Sequence, residues 1–210
     1  MKLCKPFDTL IFDLGNVLIR VDPSQFIRKI TEVTDLDNDC IIHYFMTSEC
    51  LRSYEKGEIS NQQFYETVCH DLSLALSKHR FKTLWQSMFF PIEPMITWLS
   101  TIRNQFQLVI LSNTNAWHMN YCEHNYPFMH WFDHRLYSHQ LGLAKPDPEI
   151  FEKALNTSRT SPEHTLFIDD MEENTIAASA MGIRTVHFTG ASSFFKTWSR
   201  ISKPSGRRVP

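Results

Sequence analysis

The amino-acid sequence predicts an α/β fold built around a parallel sheet, and two observations support that prediction. Short continuous apolar runs, typical of strands buried on both faces of a sheet, alternate with segments whose apolar residues have helical spacing. One long stretch, from Pro23 to Met88, carries helical periodicity and no strand pattern. The alternation indicates a Rossmann-like sheet with right-handed crossovers and helices on both faces, and the long stretch indicates an all-helical insertion.

The first predicted strand, Thr9–Phe12, is followed directly by the polar loop Asp13-Leu14-Gly15-Asn16. The insertion then shows three groups of apolar residues at helical spacing, and Ser60 is typical of the N-cap of the third helix. The three groups are Phe26, Ile27 and Ile30; Ile41, Ile42, Phe45 and Met46; and Phe64, Tyr65, Val68 and Leu72.

After Pro91 and Pro94 the strand and helix patterns alternate again. Asp147 and Pro148 are typical of the N-cap and first position of a helix. We expect a core domain of residues 1–21 and 91–202, a helical cap domain of residues 22–90, and a flexible tail over 203–210. The predicted core elements after the insertion are a helix over Met95–Asn104, a strand at Leu108–Leu111, a helix after Asn115, a weaker strand near Arg135–Ser138, a helix from Pro148, a strand at Thr165–Ile168, a helix ending at Gly182 and a strand at Arg184–Phe188.

Composition excludes several classes of protein. The 210 residues include 21 basic and 23 acidic side chains, so no global positive charge attracts nucleic acid. Five widely spaced cysteines with no CxxC pair favour reduced thiols over a disulfide framework. No signal-peptide pattern precedes Asp13, and no apolar run approaches the length of a membrane span. We expect a cytoplasmic protein with no nucleic-acid or membrane partner; the sequence carries no indication of its oligomeric state.

Polar residues follow the ends of several predicted strands. Singly, each has an ordinary explanation as a turn, a helix cap, a solvated lysine or an acid near a helix N-terminus. Together they meet at one edge of a parallel sheet, where ligands bind in such folds. A carboxylate there can attack phosphorus, paired carboxylates can hold Mg²⁺, and a hydroxyl and an ammonium can stabilise a transferring phosphoryl group. These residues are Asp13, Ser112, Lys145, Asp169 and Asp170.

Four segments in order resemble the motifs of the haloacid dehalogenase superfamily: Phe-Asp-Leu-Gly-Asn-Val-Leu (12–18), Leu-Ser-Asn-Thr-Asn (111–115), Gly-Leu-Ala-Lys-Pro (142–146) and Phe-Ile-Asp-Asp-Met-Glu-Glu-Asn (167–174). With Tyr-Glu-Lys-Gly-Glu-Ile-Ser (54–60), they look most similar to the bacterial α-D-glucose-1-phosphate phosphatase branch. The resemblance implies a Mg²⁺-dependent phosphatase that acts on a small phosphorylated metabolite, plausibly a sugar phosphate, with the helical block as a cap over its active site.

The resemblance also implies a role for each matching residue. It makes Asp13 the nucleophile, which attacks phosphorus and forms an aspartyl-phosphate intermediate. It makes Asp13, the Gly15 backbone carbonyl and Asp170 the Mg²⁺ ligands, with Asp169 in a supporting role, and Ser112, Asn113 and Lys145 the phosphoryl-binding residues.

The chain departs from the family pattern at Gly15, where family phosphatases usually carry an aspartate as general acid and base. The backbone carbonyl survives this change and the proton donor does not. Without that donor, the sequence predicts a rate that depends steeply on the acidity of the leaving group. Arg20, Asp22, Tyr54 and Trp85 are candidate specificity residues by rough position only.

Two alternatives to the phosphatase stay open. A metal-free dehalogenase of the same fold would use the aspartate to displace halide from carbon, but Asp169 and Asp170 would repel a carboxylate substrate. A binding or regulatory module would have lost catalysis with the second aspartate, although Asp13, Lys145 and Asp170 are all present.

Overall fold

The computed structural model describes residues 5–203, and its centre is a five-stranded sheet whose paired strands all run parallel. β1 lies in the middle of this sheet and pairs with both β4 and β6. The predicted Rossmann-like parallel sheet is therefore confirmed. From edge to edge, the strands are β5 (His134–Tyr137), β4 (Gln107–Ser112), β1 (Thr9–Phe12), β6 (Thr165–Asp169) and β7 (Arg184–His187).

The central strands are buried on both faces because successive side chains of a strand point to opposite sides of the sheet. Leu10 and Phe12 belong to the apolar cluster on one face, whereas Ile11 belongs to the cluster on the other. β4 divides in the same way, with Ile110 on the first face and Val109 on the second. Full burial of such a side chain is worth about 1.5–3 kcal/mol, which explains why these strands are continuous apolar runs.

Helices cover both faces, as predicted. On one side, α6 (Glu93–Ile102) and α11 (Ala191–Ile201) pack against the cluster that contains Leu10. On the other, α9 (Pro148–Ser158) and α10 (Glu172–Ala180) pack against the cluster that contains Ile11. The Asp147 carboxylate accepts a hydrogen bond from the Glu149 N–H at 3.0 Å, which confirms the predicted start of α9. The sequence pattern did not predict α11.

β5 is shifted by one residue at each end from the predicted strand, and a short helix that was not predicted follows it. The expected strand Arg135–Ser138 begins at His134 and stops at Tyr137, and Ser138 opens the short helix α8 (Ser138–Leu141). Between β4 and β5 runs α7 (Ala116–Asn125), whose N-cap Asn115 accepts a hydrogen bond from the His118 N–H at 3.1 Å.

The insertion between β1 and β4 is helical from Ser24 to Trp85, with no strand between Pro23 and Met88. Two short helices in it, which the periodicity did not predict, are capped by the Ser48 and Ser77 hydroxyls. Aromatic rings fill its interior, including Phe26, Phe64 and Phe81. The helices are α1 (Ser24–Thr31), α2 (Asn38–Thr47), α3 (Glu49–Glu55), α4 (Asn61–Asp71) and α5 (Lys78–Trp85).

A small antiparallel pair of strands, also not predicted, joins the insertion to the sheet. β2 (Ile19–Val21) pairs with β3 (Phe89–Pro91), so the outgoing and returning chains are hydrogen-bonded to each other. β3 crosses the boundary expected at residue 90. The division into a core domain and a cap domain stays a prediction.

Three further expectations concern composition and the chain end. The thiols of Cys40, Cys50, Cys69 and Cys122 are free. None of the helices within residues 5–203 has the length and apolar character needed to cross a membrane. Of the predicted tail, residues 204–210 lie outside the described part of the chain, and α11 ends at Ile201.

Candidate active site

Four of the five strand-end residues predicted from the sequence line one cavity of about 420 Å³: Asp13, Ser112, Lys145 and Asp170. The fifth, Asp169, contacts Lys145 without lining the cavity. Asp13 directly follows β1 and Ser112 is the last residue of β4, so the parallel strands deliver both to the same edge of the sheet. β6 ends beside them with Asp169 and leads into Asp170. Lys145 reaches the same place from the loop before α9.

Lys145 is the buried cation of the site. Its Nζ donates to Asp13 Oδ1 at 2.8 Å and to Asp169 Oδ2 at 2.6 Å. The Lys145 side chain is 2% exposed, so solvent screens these ion pairs little. The ammonium therefore holds two carboxylates, from β1 and β6, that would otherwise repel each other.

The surrounding charges shift the pKa values of Asp13 and Lys145. Burial raises the pKa of Asp13 to about 6; Lys145 opposes that rise and the negative charge of Asp169 adds to it. Burial alone would lower the pKa of Lys145, but the carboxylates of Asp13 and Asp169 outweigh it and raise that pKa. At neutral pH Lys145 is charged and Asp13 is largely ionised, which is the protonation state a nucleophilic carboxylate needs.

Asp169 and Asp170 are adjacent but differently engaged. Both oxygens of Asp169 have protein partners, because Oδ2 accepts from Lys145 and Oδ1 accepts from the Met171 N–H at 2.8 Å and Asn174 Nδ2 at 3.0 Å. Among the described residues, Asp170 Oδ2 accepts one longer hydrogen bond, 3.2 Å, from Asn16 Nδ2. Asp170 is therefore free to bind a ligand in the cavity, whereas Asp169 orients the groups around it.

The acidic residues fit a hard divalent cation. Asp13, Asp169 and Asp170 each offer a carboxylate oxygen, and these oxygens lie within 4.8 Å of one another. Mg²⁺ prefers such oxygens and usually keeps several waters, so one or two carboxylates suffice to hold it. Asp169 accepts three hydrogen bonds from the protein, whereas the Asp13 carboxylate accepts one and the Asp170 carboxylate accepts one from another residue of the described chain, so Asp13 and Asp170 are the freer carboxylates of the cluster.

Gly15 leaves open space beside Asp13. A Cβ built on Gly15 would lie 3.7 Å from Asp13 Oδ2 and 3.7 Å from a Val21 methyl group, which are ordinary contacts. The positive φ in this loop belongs to Asn16, at 51°. Position 15 thus lies beside Asp13, has room for a side chain and needs no left-handed backbone.

Asn113 lines the cavity, but its side chain is committed elsewhere. Its Nδ2 donates to the Lys145 carbonyl at 2.8 Å, and its Oδ1 accepts from the Lys145 N–H at 2.8 Å. This reciprocal pair fixes the Lys145 loop to the end of β4. The Asn113 side-chain amide is therefore occupied by Lys145, so its predicted contact with phosphate would need the backbone N–H.

The cavity wall opposite the strand ends comes mainly from the insertion and α7. Sequence patterns did not identify most of the residues that form it. Of the four specificity candidates only Trp85 lines the cavity. Tyr54 is buried and donates to Asn61, and Arg20 pairs with Asp22 at the surface. The residues missed are Leu51, Glu55, Met88, Phe89, His118, Met119 and Cys122.

Comparison with known proteins places this fold and site in a family. The profile described as haloacid dehalogenase-like hydrolase matches residues 7–182. Because the match spans most of the chain, the protein is a hydrolase of the haloacid dehalogenase-like family, as its four motifs predict.

Several relatives resemble the chain over most of its length. A D-ribitol-5-phosphate phosphatase of Bacteroides thetaiotaomicron is 25% identical over 84% of this chain and 89% of its own. A sesquiterpene phosphatase of Aspergillus oryzae is 31% identical over 89% of this chain and 92% of its own. A solved structure of a family enzyme from B. thetaiotaomicron, in complex with magnesium and inorganic phosphate, matches with a TM-score of 0.78 and 27% identity over 86% of this chain and 93% of its own. The narrower resemblance to the glucose-1-phosphate phosphatase branch stays a prediction.

Proposed function

We propose that this protein is a Mg²⁺-dependent phosphatase that hydrolyses a small phosphorylated metabolite through an aspartyl-phosphate on Asp13. The observation that carries the proposal is the buried Asp13–Lys145 pair beside the acidic cluster. An ionised carboxylate next to a fixed ammonium can attack phosphorus while the ammonium stabilises the charge on the phosphoryl oxygens. The phosphatase names of relatives that cover most of the chain support the same reaction.

Each site residue takes one part in this proposal. Asp13 and Asp170, with the Gly15 carbonyl, hold Mg²⁺, and Asp169 fixes Lys145. The Ser112 hydroxyl, the Asn113 backbone N–H and the Lys145 ammonium hold the phosphoryl oxygens. Bound Mg²⁺ supplies positive charge that offsets the charge of the phosphoryl group. The magnesium and phosphate in the solved relative support this part of the proposal.

The alcohol part of the substrate falls into one of two classes. A sugar or polyol phosphate is the prediction from sequence, and a relative that acts on D-ribitol 5-phosphate supports it. A phosphate of an apolar alcohol is the second candidate, because Ile19, Val21, Leu51, Met88 and Phe89 make much of the cavity wall apolar. The sesquiterpene phosphatase supports this second class.

A second apolar cavity lies next to the first. It has a volume of about 380 Å³ and is lined by Phe26, Phe45 and Met46 of the insertion. Trp85 and Met88 line both cavities. An apolar alcohol that reached beyond the first cavity would therefore meet only more apolar surface.

Phosphate release from a panel of esters tests the proposal. The panel contains polyol, sugar and isoprenoid monophosphates, each assayed with Mg²⁺ and with EDTA. We expect Mg²⁺-dependent release and a preference for one of the two classes, with Asp13→Asn inactive throughout. Halide release from a haloacid in EDTA would instead support the dehalogenase. Tight Mg²⁺ and phosphate binding without turnover of any ester would support the binding module.

A cytoplasmic location, proposed from the cysteine usage, is tested by fractionating cells that express the protein.

A further inference from the structure

The proposed reaction needs a proton donor that the loop after β1 does not supply. When the bond between phosphorus and the substrate oxygen breaks, that oxygen needs a proton, and the water that later attacks the aspartyl-phosphate must lose one. Gly15 has no side chain for either step. Lys145 is held by two carboxylates and remains charged. The donor must therefore come from another wall of the cavity.

Glu55 is placed to fill this gap from the insertion. It is the last residue of α3 and lines the same cavity as Asp13. Its carboxyl lies close enough to Asp13 to sense that charge and has no hydrogen-bond partner among residues 5–203. Glu55 does not belong to the acidic cluster of Asp13, Asp169 and Asp170, so it is separate from the predicted metal ligands.

The end of α3 is anchored to the core, which fixes where Glu55 stands. The Glu55 carbonyl accepts a hydrogen bond from the Ser138 hydroxyl, and the same hydroxyl accepts from the Thr114 N–H at 2.8 Å. Thr114 lies two residues beyond Ser112, so one serine ties Glu55 to the phosphoryl-binding loop. Gly57, with a φ of 74°, packs so tightly that a Cβ there would lie 2.1 Å from the His139 carbonyl oxygen.

We propose that Glu55 is the general acid and base of the phosphatase reaction, an inference that rests on the proposed function. As the Asp13 carboxylate forms its bond to phosphorus, protonated Glu55 gives its proton to the departing alcohol oxygen. The resulting Glu55 carboxylate then takes a proton from water as the water oxygen bonds to phosphorus. This second step releases inorganic phosphate, regenerates the Asp13 carboxylate and returns Glu55 to its protonated form.

The environment of Glu55 suits both steps. Burial, aided by the negative charge of Asp13, raises the pKa of Glu55 to about 7, and a general acid works best when its pKa lies near the working pH. His118, the histidine of the cavity wall, is a poor alternative because burial lowers its pKa to about 3. The titratable groups that line the cavity with Glu55 are Asp13, His118, Cys122, Lys145, Asp170 and Glu173.

A comparison of Glu55→Gln with Glu58→Gln tests the proposal. Glu58 lies three residues away, is exposed and accepts a hydrogen bond from the Ser53 hydroxyl, so its substitution is the matched control. Single-turnover phosphoryl transfer is measured with an aryl phosphate, whose leaving group needs no proton, and with an alkyl phosphate, whose leaving group does. We expect Glu55→Gln to slow the alkyl ester about 10²–10⁴-fold and the aryl ester less than about tenfold. Glu58→Gln should match the wild type with both.

The pH profile gives the second readout. With the alkyl ester, the wild-type rate should fall as the pH rises through about 7, and Glu55→Gln should lose that step. Equal slowing of both esters by Glu55→Gln, or an unchanged pH profile, would overturn the role of Glu55 and leave the phosphatase proposal standing. Absence of wild-type turnover with every ester would instead overturn the phosphatase proposal itself. Circular dichroism of both variants shows whether each is folded.

Discussion

Lys145 and Asp169 form an ion pair that is closed to solvent on both sides: the side chains are 2% and 0% exposed, and Nζ lies 2.6 Å from Oδ2. Asp169 lies at the end of β6 and Lys145 in a loop that Asn113 fixes to β4. The pair therefore joins two strand ends that flank β1. It sets the position from which the ammonium reaches Asp13.

Lys145→Met should destabilise the protein strongly, because it leaves two neighbouring carboxylates buried without a cation. Removing one partner of a buried ion pair costs about 3–5 kcal/mol. We expect that loss in the free energy of unfolding at pH 8, measured by urea denaturation in EDTA. The loss should be smaller at pH 5, because burial raises the pKa of Asp13 to about 6 and protonation then removes its charge. Lys153→Met, at an exposed site on α9, should change stability by no more than about 0.5 kcal/mol. A Lys145→Met protein as stable as the control would contradict the buried contacts of Lys145 with Asp13 and Asp169.

Asp13→Asn should abolish turnover and leave the fold intact. An amide is a poor nucleophile and a weaker Mg²⁺ ligand, so the proposed attack and the metal contact fail together. Phosphate release in steady state measures the loss, and circular dichroism reports the fold. Residual activity within tenfold of the wild type would rule out Asp13 as the nucleophile.

Asp170→Asn should raise the Mg²⁺ concentration needed for half-maximal activity. Within residues 5–203 the Asp170 carboxylate accepts one long hydrogen bond, from Asn16, and it lines the cavity. The loss of its negative charge should therefore mainly weaken Mg²⁺ binding. Glu172→Gln is a suitable control, because Glu172 is an exposed acid at the start of α10. Activity is titrated against Mg²⁺ for both variants. Identical Mg²⁺ curves for Asp170→Asn and the wild type would exclude Asp170 as a ligand.

Gly15→Asp should restore a proton donor when Glu55 has been removed. The Cβ would make only ordinary contacts, and the backbone at position 15 needs no glycine conformation. In the double variant Gly15→Asp/Glu55→Gln we expect the alkyl-ester rate to recover at least tenfold over Glu55→Gln alone. Gly15→Ala/Glu55→Gln, which adds a methyl group without an acid, should show no recovery. Equal rates for the two double variants would mean that position 15 cannot serve the reaction.

Glu55→Gln should also change how stability depends on pH. The pKa of Glu55 is raised from 4.5 to about 7 in the folded protein, so the folded state binds the proton more tightly than the unfolded state. The wild type therefore loses stability, relative to Glu55→Gln, as the pH rises from about 4.5 to about 7. At 1.36 kcal/mol for each pH unit, the difference at pH 8 reaches at most about 3 kcal/mol. Thermal unfolding at pH 5 and pH 8 measures it, and a difference that does not grow with pH would exclude the raised pKa.

The core strands could be predicted because their signal is local. Thr9–Phe12 and Thr165–Asp169 are runs of consecutive buried residues, and the polar residues that end them stand next to them in the sequence. Parallel pairing then brings those ends together without further information. The family motifs sit at the same strand ends, which is why four short segments sufficed to identify the superfamily.

The upper part of the site could not be predicted because its contacts are long-range. Glu55 meets the core through Ser138, 83 residues further along the chain. Segment 54–60 carries part of the family resemblance, but its sequence does not show that Glu55 lines the cavity with Asp13. The role of the Asn113 side chain likewise depends on Lys145, 32 residues away. β2 and β3 are three residues each and are strands only because they pair with each other.

The wall shared by the candidate active site and the apolar cavity beside it bears on the length of substrate that the site can hold. Trp85 and Met88 face both spaces, so the partition between them is a single layer of side chains. On the far side, Met46 is 78% exposed, and the second space opens toward solvent at that residue. Under the proposed function, the Trp85 ring therefore limits the length of an apolar alcohol bound beside Asp13, and we expect Trp85→Ala to accept longer isoprenoid monophosphates than the wild type.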